Sequence, residues 1–169
     1  MGNLCNSLQT GLKNIPCELD FSNPVKELFW FVQPRDMIES KPYFNIPSRH
    51  IYKNWTLYPY SVMSKVNLEF NHLNILSDAF DEKYFQQVIP YKYLINGVPD
   101  GVNYYSFALY PEESQPSGTC NFSSLKGKLL KIYYNNDFYT NITNMRIVVL
   151  ARNYNILNIS KGRAKLLFY

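Results

Sequence analysis

Histidine occurs only twice in these 169 residues, cysteine three times and glycine seven times. Each shortage removes a class of chemistry. His50 and His72 stand alone, in neither HxxH nor HExxH spacing, so a histidine-based metal centre or general base has no frame. Cys5, Cys17 and Cys120 are odd in number and show no CxxC, which predicts reduced thiols rather than a disulfide framework or zinc site. No apolar run reaches the roughly 18 residues of a membrane-spanning helix. The opening MGNLCNSLQTGLKN lacks the basic and apolar blocks of a signal peptide, and Asn6 stands where N-myristoylation needs Ser or Thr. The chain is expected to stay on the cytosolic side.

Other site patterns are missing too. No P-loop, GxGxxG or EF-hand run is present. Ser117-Gly118-Thr119-Cys120 resembles a nucleophile turn superficially, but it lacks GxSxG, and the needs of a tight turn account for Gly118. Asp78, Asp81 and Glu82 form an acidic group, which the first turn of a helix favours without any catalytic role. Sequons at Asn54, Asn121, Asn141 and Asn158 are of a kind that arises by chance in an asparagine-rich chain. No catalytic, cofactor-binding or metal-ligating residue is assigned, no cofactor is expected, and the chain is not read as an enzyme.

What the chain has is aromatic residues: 15 Tyr, 11 Phe and 2 Trp, a composition suited to pleated, half-buried surfaces. Alternating patterns predict strands over Val25–Val32, Val62–Phe70, Val102–Leu109, Lys128–Tyr134 and Met145–Asn153, with weaker candidates at Ile51–Leu57 and Ala164–Tyr169. Ser77 or Asp78 caps one short helix from Ala79 to Gln87, and Pro90 ends it. Residues 1–22 show no sustained period and read as an irregular lead-in. Six or seven strands without regularly interleaved helices predict an all-β antiparallel sandwich with one short helix. Pro111, Pro116 and Gly118 make the loop after Leu109 a shaped excursion, expected to be ordered and packed through Asn121 with Cys120 reduced and partly buried.

Charge is uneven. Residues 1–124 hold 9 basic and 12 acidic side chains, and 125–169 hold 8 basic against Asp137 alone. Lys126, Lys128, Lys131, Arg146, Arg152, Lys161, Arg163 and Lys165 are spread over several elements, and no nucleic-acid-binding motif accompanies them. They read as a solvated face or one matching an acidic neighbour.

The run from Asn103 to Ser123, NYYSFALYPEESQPSGTCNFS, carries a resemblance. It is similar to the C-terminal part of the major capsid proteins of nucleocytoplasmic large eukaryotic DNA viruses. NPVKELFWFVQ (Asn23–Gln33), YFQQVIPY (Tyr84–Tyr91) and ARNYNILNIS (Ala151–Ser160) add to it in the same order. The resemblance implies a C-terminal jelly-roll capsid domain over 23–169, incomplete at its start, in a protein that self-associates as trimers and joins other capsid proteins in the virion, assembled in the host cytoplasm. It implies no specific nucleic-acid partner and no membrane span. The chain departs from the family pattern at Asn71–Leu76, where NGxDRF is usual, at Ser124, where Arg is usual, and at Arg163-Ala164-Lys165 in place of a glycine-rich ending. The resemblance also implies that the family's N-terminal jelly roll is missing here. Alternatives are a jelly-roll glycan-binding module, a basic nucleic-acid-binding protein, or a truncated, non-functional capsid paralogue. An uncovered strand edge and apolar face are expected, and with them self-association rather than a well-behaved monomer.

Overall fold

The structure is a computed structural model that describes residues 2–5, 14–34, 63–76, 78–134 and 145–168. The strand candidate Ile51–Leu57, His50 and the sequons at Asn54 and Asn141 lie outside the described residues.

Two antiparallel sheets face each other. The first has the order β1 (Gly2–Cys5), β10 (Met145–Asn153), β3 (Pro24–Pro34), β7 (Asn103–Ser106), with β8 (Cys120–Asn121) pairing the start of β3. The second runs β2 (Asn14–Glu18), β9 (Leu129–Tyr134), β4 (Met63–Phe70), β5 (Leu73–Asn74), with β6 (Phe80–Asp81) also on β4. Successive long strands alternate between the sheets: β2, β4 and β9 lie in one, β3, β7 and β10 in the other. Sheet neighbours such as β3 and β10 are therefore distant in sequence, and the fold is a jelly-roll sandwich. A hairpin of β11 (Leu157–Ser160) and β12 (Arg163–Leu166) stands apart from both sheets.

Period-two alternation builds the core. Leu28, Trp30 and Val32 of β3 and Ile147, Val149 and Ala151 of β10 turn inward against Val66, Leu68 and Phe70 of β4 and Leu130 and Ile132 of β9. Trp30 is fully buried, with its ring edge-on to Phe85 at 5.2 Å. Phe70, Phe107 and Phe122 cluster where β3 begins, with Phe122 5.2 Å from Phe70 and 5.7 Å from Phe107. Such pairs add about 0.5–1.5 kcal/mol each beyond area burial.

Several expectations are corrected. The irregular lead-in contains two strands: β1 pairs β10, and β2 pairs β9, burying Ile15 and Cys17. Short edge strands escape a periodicity reading because four or five residues carry little pattern. Cys17 is disulfide-bonded rather than a reduced thiol. Sequence spacing does not report which cysteines come close in space. The helix begins at Glu82, not Ala79, because Phe80 and Asp81 pair Val66 and Lys65 as β6. Its cap is accordingly Asp81, whose Oδ1 accepts the Lys83 N–H at 2.8 Å. Pro90 does not end it: a π-helical turn, Tyr84–Val88, runs into α1 (Ile89–Tyr93) with Pro90 in its first turn. The N–H of Ile89 reaches back five residues to the Tyr84 carbonyl, and this wider register adjoins the proline, which has no N–H to give. The strand expected over Val102–Leu109 is paired only over Asn103–Ser106.

Candidate assembly surface

The residues that the sequence offers for chemistry do not converge in space. His72 is exposed in the two-residue turn joining β4 to β5, where Asn71 and His72 both have positive φ, 52° and 64°, as a type I′ hairpin requires. Asn71 accepts the Lys126 N–H at 2.7 Å, so this turn is built into the base of the sandwich. Asp78 is exposed, Asp81 caps the helix, and Glu82 is buried beneath it. Among the described residues no group of three His, Cys, Asp or Glu could hold a metal. Asn121 accepts the Ser123 N–H at 3.1 Å, opening a 3₁₀ turn, Phe122–Ser124. Asn158 is exposed on β11.

Glu82 is the most perturbed carboxyl. Burial pushes it up to about 8 from an ordinary 4.5, with Asp81 adding repulsion and Asn103 opposing the rise through a hydrogen bond. Buried Asn103 commits Nδ2 to the Trp30 carbonyl at 3.4 Å. Its Oδ1 has no hydrogen-bond partner among the described residues. Gln86 Nε2 donates to Glu82 Oε1 at 2.7 Å, so helix and sheet are joined through this acid.

Two exposed regions leave the sandwich at the end where β3 begins. On one side of β3, β7 ends opposite Glu27, and Phe107 N–H donates to the Lys26 carbonyl at 2.9 Å before the chain enters the 107–120 loop. This loop is anchored as expected at its two ends. Pro111 is buried, Tyr110 N–H donates to Ser117 Oγ at 2.8 Å, and a Cβ on Gly118 would lie 2.8 Å from the Phe107 carbonyl oxygen. Cys120 is free and half-buried, its thiol pushed up by burial. The expectation of a packed loop fails at the tip, because Glu112–Pro116 is exposed. Leu109 and Tyr110 are exposed beside it, and Glu112 Oε2 accepts the Ile95 N–H at 3.0 Å, tying in the segment after the helix, where Ile95 is exposed too.

On the other side of β3, Asn153 pairs Val25 and Tyr154 N–H donates to the Pro24 carbonyl at 3.0 Å, and the β11–β12 hairpin follows. Its base is held firmly. Asn155 Nδ2 donates to the Phe168 carbonyl at 2.7 Å, Asn155 Oδ1 accepts the Phe168 N–H at 3.1 Å, and Lys26 Nζ lies 5.2 Å from the Tyr154 ring centre. Fully buried Glu27 meets Arg152 Nη1 at 3.3 Å across the β3–β10 pair just inside this base. Lys161 and Gly162, with φ of 48° and 73°, make the hairpin's type I′ turn. The pairing Leu157 to Leu166 and Ile159 to Ala164 sets four apolar side chains on one face, and Asn158, Ser160, Arg163 and Lys165 on the other. Both faces are exposed.

Sequence reasoning finds one strand of this hairpin, since the candidate Ala164–Tyr169 overlaps β12 over Ala164–Leu166, but it misses β11 and the pairing. The signal is present, as Lys161-Gly162 between alternating runs, but the basic residues look scattered along the chain when three of the eight share one hairpin.

The model of the family described as large eukaryotic DNA virus major capsid protein matches residues 6–164. The chain belongs to that family. It is 40% identical over 94 residues to the major capsid protein of Phaeocystis pouchetii virus, covering 54% of this chain and 18% of that protein. To capsid protein 1 of Acanthamoeba polyphaga mimivirus it is 40% identical over 76 residues, covering 41% of this chain and 13% of that protein. The quasi-atomic model of the PBCV-1 virus capsid superposes on all of this chain and 50% of its own, with a TM-score of 0.69 at 21% identity. The chain therefore spans about half of that capsid subunit and under a fifth of the Phaeocystis virus protein. The capsid family match also starts ahead of residue 23, taking in β2.

Proposed function

We propose that this chain is a non-enzymatic structural component of a large DNA virus capsid, built as the C-terminal jelly roll of the family's major capsid proteins. Residues 6–164, which include β2, act as one jelly-roll domain. Its partners are copies of itself, as trimers by family resemblance, and other capsid proteins, in a shell assembled in the host cytoplasm. The observation that carries this reading is the family match over 6–164 together with a superposition covering the whole chain. The structure is compatible with repeated lattice contacts: a sandwich with short pinned turns presents fixed surfaces, so little ordering entropy opposes association. Mass spectrometry of gradient-purified virions tests it. Peptides of this chain, at a constant ratio to the major coat protein through the virion peak, are expected; their absence from virions of a host that makes the chain rejects the reading.

A further inference from the structure

A glutamate buried in a protein is ordinarily paired with a cation, and Glu82 is not. It is 5% exposed at the start of the helix 82–93, and its hydrogen-bond partners are two neutral amides: Gln86 Nε2 donates to it at 2.7 Å, and Asn103 reaches it from β7. Among the described residues the charge acting on it is Asp81 of β6, a second acid. Lys65, opposite Asp81 on β4, and Lys83 and Lys92 of the helix are exposed, and no ion pair among the described residues reaches Glu82. Tyr105 of β7 faces Tyr84 and Tyr93 instead. In such surroundings a carboxyl is held neutral, because its charged form finds neither water nor a counter-ion.

The element that this acid fastens is lightly built. The helix carries a π turn and a proline, its buried residues are Glu82, Phe85, Ile89 and Pro90, and a helix of this length is marginal by itself. It is entered from the two-residue β6 and left through residues 94–102, where Gly97 and Gly101, with φ of 65° and 82°, supply a pivot. Beneath it, Trp30 Nε1 and Asn103 Oδ1, on residues paired across β3 and β7, are buried without a hydrogen-bond partner. Water reaching them offsets part of the cost of lifting the helix. We propose that helix 82–93 is a proton-dependent latch: the neutral Glu82 carboxyl holds it on β7, and loss of that proton lifts it about the 94–102 segment while both sheets stay folded. The direction follows from the carboxyl, which is pushed up to about 8 in place and returns to its ordinary 4.5 once in water. Between these values the closed helix keeps a proton that the open one has released, so opening becomes about tenfold easier with each pH unit and levels off above 8.

The test is amide hydrogen exchange of the purified full chain from about pH 5 to 9, with each rate divided by its intrinsic value at that pH. Amides between Tyr84 and Leu94 are expected to open more readily than those of β10 at every pH, with an opening constant that rises about tenfold per pH unit and reaches a plateau near 8. Glu82→Gln keeps an uncharged hydrogen-bonding side chain and should flatten this rise. Asp81→Asn keeps the oxygen that accepts the Lys83 N–H and removes the repulsion on Glu82, so its plateau should come at a lower pH. A merely structural role for either residue would leave the pH dependence where it is. Equal opening constants in the helix and β10 overturn the proposal, since the helix would then leave only with the whole sandwich. So does a wild-type helix whose opening ignores pH, or a rise that survives in Glu82→Gln. Where Glu82→Gln does not fold, a plateau unmoved by Asp81→Asn overturns it instead.

Discussion

Strands β10 and β11 follow one another in the chain and carry the same alternating pattern, yet their apolar residues meet opposite fates. In β10, Ile147, Val149 and Ala151 are buried against the second sheet. In β11, Leu157 and Ile159 stand in the open. The difference lies in what each strand has on its inner face. β10 runs between β1 and β3, beneath a facing sheet, whereas β11 has only β12 beside it. Alternation therefore identifies which residues share a face and says nothing of what covers that face.

Substitutions on the two sides of this divide should behave differently. Trp30→Ala, in the fully buried interior, is expected to cost about 3–5 kcal/mol, read from the urea midpoint. A loss no larger than that of a hairpin variant would break the comparison.

Glu82 gives the next effect. Its folded pKa of about 8 lies above the ordinary 4.5, so the folded state holds a proton that the unfolded state has released between these values. Stability is therefore full below about pH 4.5 and declines as pH rises through 8, by an amount on the order of a few kcal/mol. Glu82→Gln keeps the hydrogen-bonding amide partner and should flatten this slope. Equal pH profiles for both proteins, measured by chemical denaturation from about pH 5 to 9, a window that brackets the shift, would remove Glu82 as the cause.

Gly118→Ala sharpens the picture of the loop, which lies between interior and surface. Its φ of 148° and the 2.8 Å approach to a backbone oxygen leave no room for a methyl group. A loss of about 1–3 kcal/mol is expected, with faster labelling of Cys120 by a thiol reagent as the local readout. Unchanged labelling and stability would show that the loop ends yield easily.

The smallest effect on folding belongs to the hairpin. Ile159→Ser, at an exposed site, should change stability by no more than about 0.5 kcal/mol, read from the thermal melt. A large drop in melting temperature instead would mean that the hairpin packs on its own sandwich.

Much of the sandwich was legible in the residues. The alternation of VKELFWFV, the run Val62–Phe70 and the pattern from Met145 to Asn153 specified β3, β4 and β10, since a half-buried strand must repeat every two residues. The family was legible in the run from Asn103 to Ser123. The candidate surface was much less so, because an exposed apolar side chain and a buried one look alike in a sequence. Composition and local pattern by themselves determined an aromatic-rich β protein and its longer strands, since these follow from the geometry of neighbouring residues. Only the tertiary structure decided that β1 and β2 join the sheets, that Cys17 is bonded, that Pro90 sits within a helix, and that the hairpin and the acidic loop leave from one end. Each of those outcomes depends on groups brought together from distant parts of the chain, which local sequence does not encode.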